Sequence, residues 1–125
     1  GTEKVPVSGR ERTLVDCLRS PELCGGARHL AHLLHEYGAS PERDFELLLT
    51  IAHDVASGAA WKRFGYLAEL LWPKEAHLID VARRQLSAGH ARLDPSVRRP
   101  GQLATRWRLR VNVDVGEFAQ REDIP

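Results

Sequence analysis

The sequence predicts an α+β domain, predominantly helical, with four to five helices packed on a small antiparallel sheet. Three observations predict it. Apolar residues recur at helical spacing in successive segments between Arg10 and Leu86. Glycine, proline and capping residues punctuate those segments. Strict alternation of apolar and polar residues occurs once, over Arg106–Val115, and reads as a strand buried on one face. The 125 residues suffice for a single domain over 1–125, and 42% apolar with 28% charged residues is a globular composition. No apolar run approaches a membrane span and no signal peptide is visible, so no membrane contact and a cytoplasmic location are expected. Cys17 and Cys24, the two cysteines, read as buried thiols rather than a disulfide. With no methionine the chain does not start at a native start codon, which suits a piece of a longer protein.

Taken in order, Lys4–Val7 reads as a short edge strand, because Pro6 cannot donate to a ladder. Ser8 and Glu11 have capping-box spacing and should open a helix through Leu14, Val15 and Leu18. Ser20-Pro21-Glu22 restarts the chain and Gly25-Gly26 breaks it again. A helix follows from about Ala27 to Tyr37, ended by Gly38. Ser40-Pro41-Glu42 should open the next, with Phe45, Leu48, Leu49 and Ala52 on one apolar stripe and Leu47, Ile51 and Val55 on a second, so that it is buried on two sides. The central helix carries Trp61, Phe64, Leu67, Ala68 and Leu71 on a continuous stripe, leaving Lys62, Arg63 and Glu69 largely outside it. Gly65 costs this helix ~1 kcal/mol against Ala, which suggests close approach of another backbone. Trp72-Pro73 ends the central helix, and Pro73 fits the first position of a last helix that uses Leu78, Ile79, Ala82 and Leu86 and stops at Gly89. An extended loop follows from His90. The strand Arg106–Val115 needs a partner, and Val5–Val7 or His90–Leu93 can supply one. Its odd positions should face the core, and Arg106, Arg108 and Arg110 should stand together outside. Phe118 should tack down the tail.

Net charge is +1 but unevenly spread. Of 18 basic and 17 acidic residues, eight arginines and a single acid, Asp94, lie between Arg83 and Arg110. That stretch carries +7 and the remainder −6. Such a split fits a basic surface facing nucleic acid or an acidic partner, and equally a solvated basic loop and strand. Arg83, Arg84, Arg98, Arg99, Arg106, Arg108 and Arg110 are the candidate contact residues.

His29, His32, His35 and Glu36 share one face of their helix with Arg28, opposite Leu30, Leu33, Leu34 and Tyr37. They read as the solvent side of an amphipathic helix rather than a converging metal shell. Cys17 sits among Leu14, Val15 and Leu18 and reads as an inert buried thiol. No phosphate loop, nucleophile elbow, paired-cysteine motif or zinc-protease helix occurs. The reading is therefore a non-enzyme with no catalytic residue, no cofactor and no metal.

Two segments together resemble a family. Arg10-Glu11-Arg12-Thr13-Leu14-Val15-Asp16-Cys17-Leu18, with Pro21-Glu22-Leu23 and Gly25-Gly26, resembles a segment of the AbiEi-type antitoxins. These are bacterial transcriptional regulators of type IV toxin–antitoxin systems. Lys62-Arg63-Phe64-Gly65-Tyr66-Leu67-Ala68-Glu69-Leu70 resembles a second, with Phe64 in place of the usual leucine. Leu93-Asp94-Pro95 and Arg106–Asn112 are similar to the region that closes the same domain. The resemblance implies a C-terminal domain that neutralises a nucleotidyltransferase-type toxin and takes part in autorepression. It also implies an N-terminal winged helix to read operator DNA; no such pattern precedes Val5, so either these residues correspond to the C-terminal domain alone or the protein lacks that DNA reader. The alternative is an arginine-rich module that binds nucleic acid directly through the Arg83–Arg110 surface.

Overall fold

A computed structural model describes residues 9–119. The expected edge strand Val5–Val7 lies outside those residues, and the first helix has Gly9 as its N-cap, with no side-chain cap, rather than the expected Ser8–Glu11 capping box. Five α-helices come first: α1 (Arg10–Arg19), α2 (Ala27–Ala39), α3 (Phe45–Val55), α4 (Gly58–Leu71) and α5 (Ala76–Arg84). Three short strands follow: β1 (Ala91–Arg92), β2 (Gln102–Ala104) and β3 (Leu109–Val111). The fold is thus α+β and mostly helical, as the sequence predicts. The sheet differs in detail from the antiparallel one expected. Its order is β1-β3-β2, with β1 parallel and β2 antiparallel to β3. The His90–Leu93 stretch does supply β1, whereas β2 comes from residues read as loop.

Several boundaries move for identifiable reasons. Helix α3 does not begin at Ser40-Pro41-Glu42, where the Ser40 hydroxyl instead accepts from the Glu42 N–H in a local turn. Asp44 caps α3, its carboxylate accepting from Leu47 N at 3.0 Å. Helix α2 continues through Gly38 to Ala39, because the missing Cβ makes room for the Trp72 indole. Pro73 lies in a turn and α5 starts only at Ala76 and ends at Arg84, well short of Gly89. Glu11 is buried and accepts a 2.7 Å hydrogen bond from the Tyr37 hydroxyl. On α3 the second stripe is only half covered, since Ile51 and Val55 are partly buried and Leu47 is 43% exposed.

Helix α4 is the centre of the molecule and packs against α1, α2, α5, β1 and β3. Its burial runs almost all the way round: Trp61, Phe64, Leu67, Ala68 and Leu71 are buried, and so are Lys62 and Arg63. The two basic residues thus lie in the interior side of the helix surface rather than outside it. Arg63 satisfies backbone carbonyls there. Its guanidinium donates to Leu18 O (2.9 Å) and Arg19 O (3.2 Å) at the end of α1, and to Arg92 O (2.9 Å) in β1. A helix end leaves carbonyls without intrahelical partners, and this side chain supplies donors for two of them. Burial lowers the Arg63 pKa from its ordinary value, opposed by Glu22 and Asp94.

Gly65 is a close-approach position, but the neighbour is a side chain. A Cβ there would fall inside the ring of Trp107, which is itself 1% exposed. Asp94 ties the late loop to the early helices in a comparable way. Its carboxylate accepts from Ala27 N at the start of α2 (3.0 Å) and from Ser96 N and Oγ. Gly26, at φ +110, lets the chain turn into α2 beneath that carboxylate. Asn112 closes the junction, accepting from Asp94 N and donating to the carbonyls of Asp94 and Val97.

Candidate contact surface

The expected ten-residue strand is not continuous. Thr105–Trp107 form a single 3-10 turn, Arg108 has φ 52, and only Leu109–Val111 pair as strand. Trp107 and Leu109 do face the core, but Val111 and Val113 are half-buried and Asn112, an even position, is buried. The 3-10 turn and the left-handed Arg108 interrupt the extended chain before Leu109, and alternation is lost after Val111, where strand pairing ends. Arg106, Arg108 and Arg110 consequently do not form one outer row.

The seven predicted arginines divide into three groups. Arg83, Arg84 and Arg106 are engaged locally. Arg106 Nε donates to both Glu69 oxygens (3.0 and 2.9 Å), and Trp107 Nε1 donates to the same carboxylate at 2.8 Å. Arg83 donates to the Arg106 carbonyl, and both guanidinium groups lie over the Trp107 ring, 5.6 and 5.3 Å from its centroid. Arg84 pairs with Asp80 one turn back at 2.6 Å. Burial works to raise the Glu69 pKa, but the bonds from Trp107 and Arg106, with the charges of Arg106 and Arg83, outweigh it and hold the group below the ordinary value. This group clasps the tryptophan that fills the Gly65 gap.

Arg98, Arg99 and Arg110 form the second group, Arg110 in β3 and Arg98 and Arg99 in the loop between β1 and β2. Leu109 is fully buried, so the next residue of β3, Arg110, faces away from the core. Its parallel partner in register is Arg92 and its antiparallel partner is Leu103. Arg92 therefore belongs to the surface, although it was not among the candidates. Its role was hidden because it depends on a strand pairing that neither residue type nor spacing reveals. Arg92 Nη1 donates to Val97 O (3.0 Å), which brings it to the backbone beside exposed Arg98, and Arg99 Nη2 lies 3.4 Å from Asn112 O. Among the described residues none of these four arginines has a carboxylate within ion-pair distance. Asp94 turns inward to Ala27, while Asp114 borders the same depression of about 570 Å³ as Arg99 without pairing with it. Two like charges in register repel, so this face does not owe its arginines to sheet stability.

Arg108 stands apart, donating to Ser87 O at 2.9 Å beside the buried Lys62. The histidines of α2 serve as a seat for the tail. The rings of His32 and His35 flank Phe118, at 5.9 and 6.1 Å between centroids, and Arg28 pairs with Glu117. Phe118 thus fastens the chain after β3, as expected. Cys17 and Cys24 are free thiols; burial first, then the neighbouring Cys17, push Cys24 up to about 12. No helix among the described residues is long and apolar enough to cross a membrane.

No family model, no curated protein and no solved structure matches this chain. Fold and surface together define a mostly helical α+β domain with a basic sheet face.

Proposed function

We propose that this chain is the C-terminal interaction domain of an AbiEi-like antitoxin and transcriptional regulator. In this reading it is non-catalytic, acts in the cytoplasm, and binds an acidic flank of a nucleotidyltransferase-type toxin through Arg92, Arg98, Arg99 and Arg110. The observation that carries the contact is this face of arginines with no carboxylate partner among the described residues. Backbone carbonyls hold two of the four in place, so less side-chain entropy is lost on binding.

The resemblance supplies the partner, and the packing is compatible with it. The resembling segments contact one another: Arg63 of α4 hydrogen-bonds the end of α1, Gly65 packs against the Trp107 ring, and Asp94 accepts from the start of α2. They read as the scaffold of one domain type rather than as chemistry. Autorepression would follow through a winged helix carried elsewhere in the protein.

A second reading is direct binding of nucleic acid by the same face, favoured by the Arg92–Arg110 pairing. Titration calorimetry of the chain against a purified nucleotidyltransferase-type toxin and against duplex DNA separates the two. The proposal expects a stoichiometric complex with the toxin whose on-rate falls with salt. A folded chain that ignores the toxin, but binds duplexes of any sequence with a steep salt slope, overturns it in favour of the second reading.

A further inference from the structure

We propose that Lys62, Ser87 and Arg108 form a binding site for a phosphate-type oxyanion. The site stands apart from the sheet face, and it does not rest on the toxin reading. Lys62 is 4% exposed and has no carboxylate partner among the described residues. Its ammonium donates instead to Ser87 Oγ (3.1 Å) and Ala88 O (3.2 Å), in the turn that follows α5. Arg108 reaches the same turn from the other side, donating to Ser87 O at 2.9 Å. Two cations therefore converge on one residue with no anion between them among the described residues, an electrostatically unfavourable arrangement.

The backbone also departs from its low-energy conformation to make it. Arg108 is the one non-glycine residue with positive φ among those described, at φ 52. A left-handed arginine is strained, and such outliers persist where the surroundings over-determine them, often at binding sites. Glycine would take this conformation without cost, yet the position carries a guanidinium. Burial, and secondly the Arg108 charge, lower the Lys62 pKa, as expected for a cation awaiting a counter-charge.

Donor capacity remains for a ligand. Lys62 uses two of its three N–H groups and Arg108 one of its five on protein acceptors among the described residues. The exposed Ser87 hydroxyl adds a further donor. Ammonium, guanidinium and hydroxyl come from α4, the turn before β3 and the turn after α5. Donors arriving from separate elements suit a tetrahedral anion with several acceptor oxygens better than a planar carboxylate, which favours one bidentate fork. The N-terminal turn of α4 adds a favourable dipole, since Ser87 Oγ would lie 2.6 Å from a Cβ on Gly58.

The test is titration of the whole chain with inorganic phosphate at constant ionic strength, read by backbone amide NMR shifts. Saturable shifts should centre on Ser87, Ala88 and Arg108. Arg108→Gly should keep or raise the melting temperature, because it removes the strain, and should weaken phosphate binding about tenfold. Lys62→Gln should weaken it similarly, and Arg84→Gln should not. Repeating the titration with a short duplex oligonucleotide present identifies the source of the phosphate. Competition marks a backbone phosphate, independence marks the free ion, and each is consistent with the site. Absence of saturable binding by folded wild type, or unchanged affinity in a well-folded Arg108→Gly variant, overturns the proposal.

Discussion

Gly65 and Trp107 occupy one another's space, and the pair makes a sharp prediction at the scale of single residues. On an exposed helix Gly→Ala gains ~1 kcal/mol. Here the added methyl would enter a buried indole, so Gly65→Ala should lose roughly 1–3 kcal/mol, seen as a lower melting temperature. Combining it with Trp107→Leu should give less than the sum of the two losses, because the clash disappears with the ring. Asp94 gives a pH-dependent counterpart. Burial works to raise its pKa, but bonds from Ser96 and Ala27 N, with the Arg63 charge, outweigh this and hold it below the usual value. A depressed folded-state pKa means the folded protein binds fewer protons than the unfolded chain. The contribution of Asp94 is therefore complete above about pH 4 and lost as pH falls through its folded value. Asp94→Asn should lower the melting temperature near neutral pH and flatten its fall in acid. An unchanged acid limb in that variant would show that other carboxylates set it.

At the scale of elements, α4 holds the fold together through Arg63 as much as through its apolar stripe. Arg63→Met should cost at least ~2 kcal/mol in a urea melt, because three carbonyls lose their donor. Arg63→Lys should recover little of it, since a single ammonium cannot span the end of α1 and β1 as the fork does. The helices were legible in the sequence because each carries its own period, although only α3 and α4 have a side-chain cap. The start of α3 was placed at Ser40-Pro41-Glu42 rather than at Asp44, since two capping-type residues stand four apart and only packing chooses between them. The sheet was half legible. Apolar alternation found the region of β3, but the left-handed turn at Arg108 has no signature when the residue is not glycine. The pairing of Arg92 with Arg110 is a long-range contact that alternation does not encode. Lys62 and Arg63 were read as largely outside the apolar stripe because periodicity registers polarity, whereas their burial depends on backbone carbonyls arriving from α1, β1 and the turn after α5.

Over the whole molecule the charge asymmetry visible in the sequence splits three ways in space. Arg83, Arg84 and Arg106 meet Asp80, Glu69 and Trp107; Arg108 meets the Ser87 turn; Arg92 and Arg110 pair in register across the sheet, with Arg98 and Arg99 in the loop between β1 and β2. Net charge over a segment thus overstated the contact surface, and its place became visible only from the strand register. The most direct test of this account is the affinity of the double variant Arg92→Gln/Arg110→Gln for a nucleotidyltransferase-type toxin, measured beside its melting temperature. Stability should be unchanged or slightly higher, because a like-charge cross-strand pair is removed. Affinity should fall about tenfold, mostly through the on-rate, and become less sensitive to salt, while Arg84→Gln changes neither. Wild-type affinity and salt dependence in a folded double variant would contradict the account and leave the arginine face as a solvated surface.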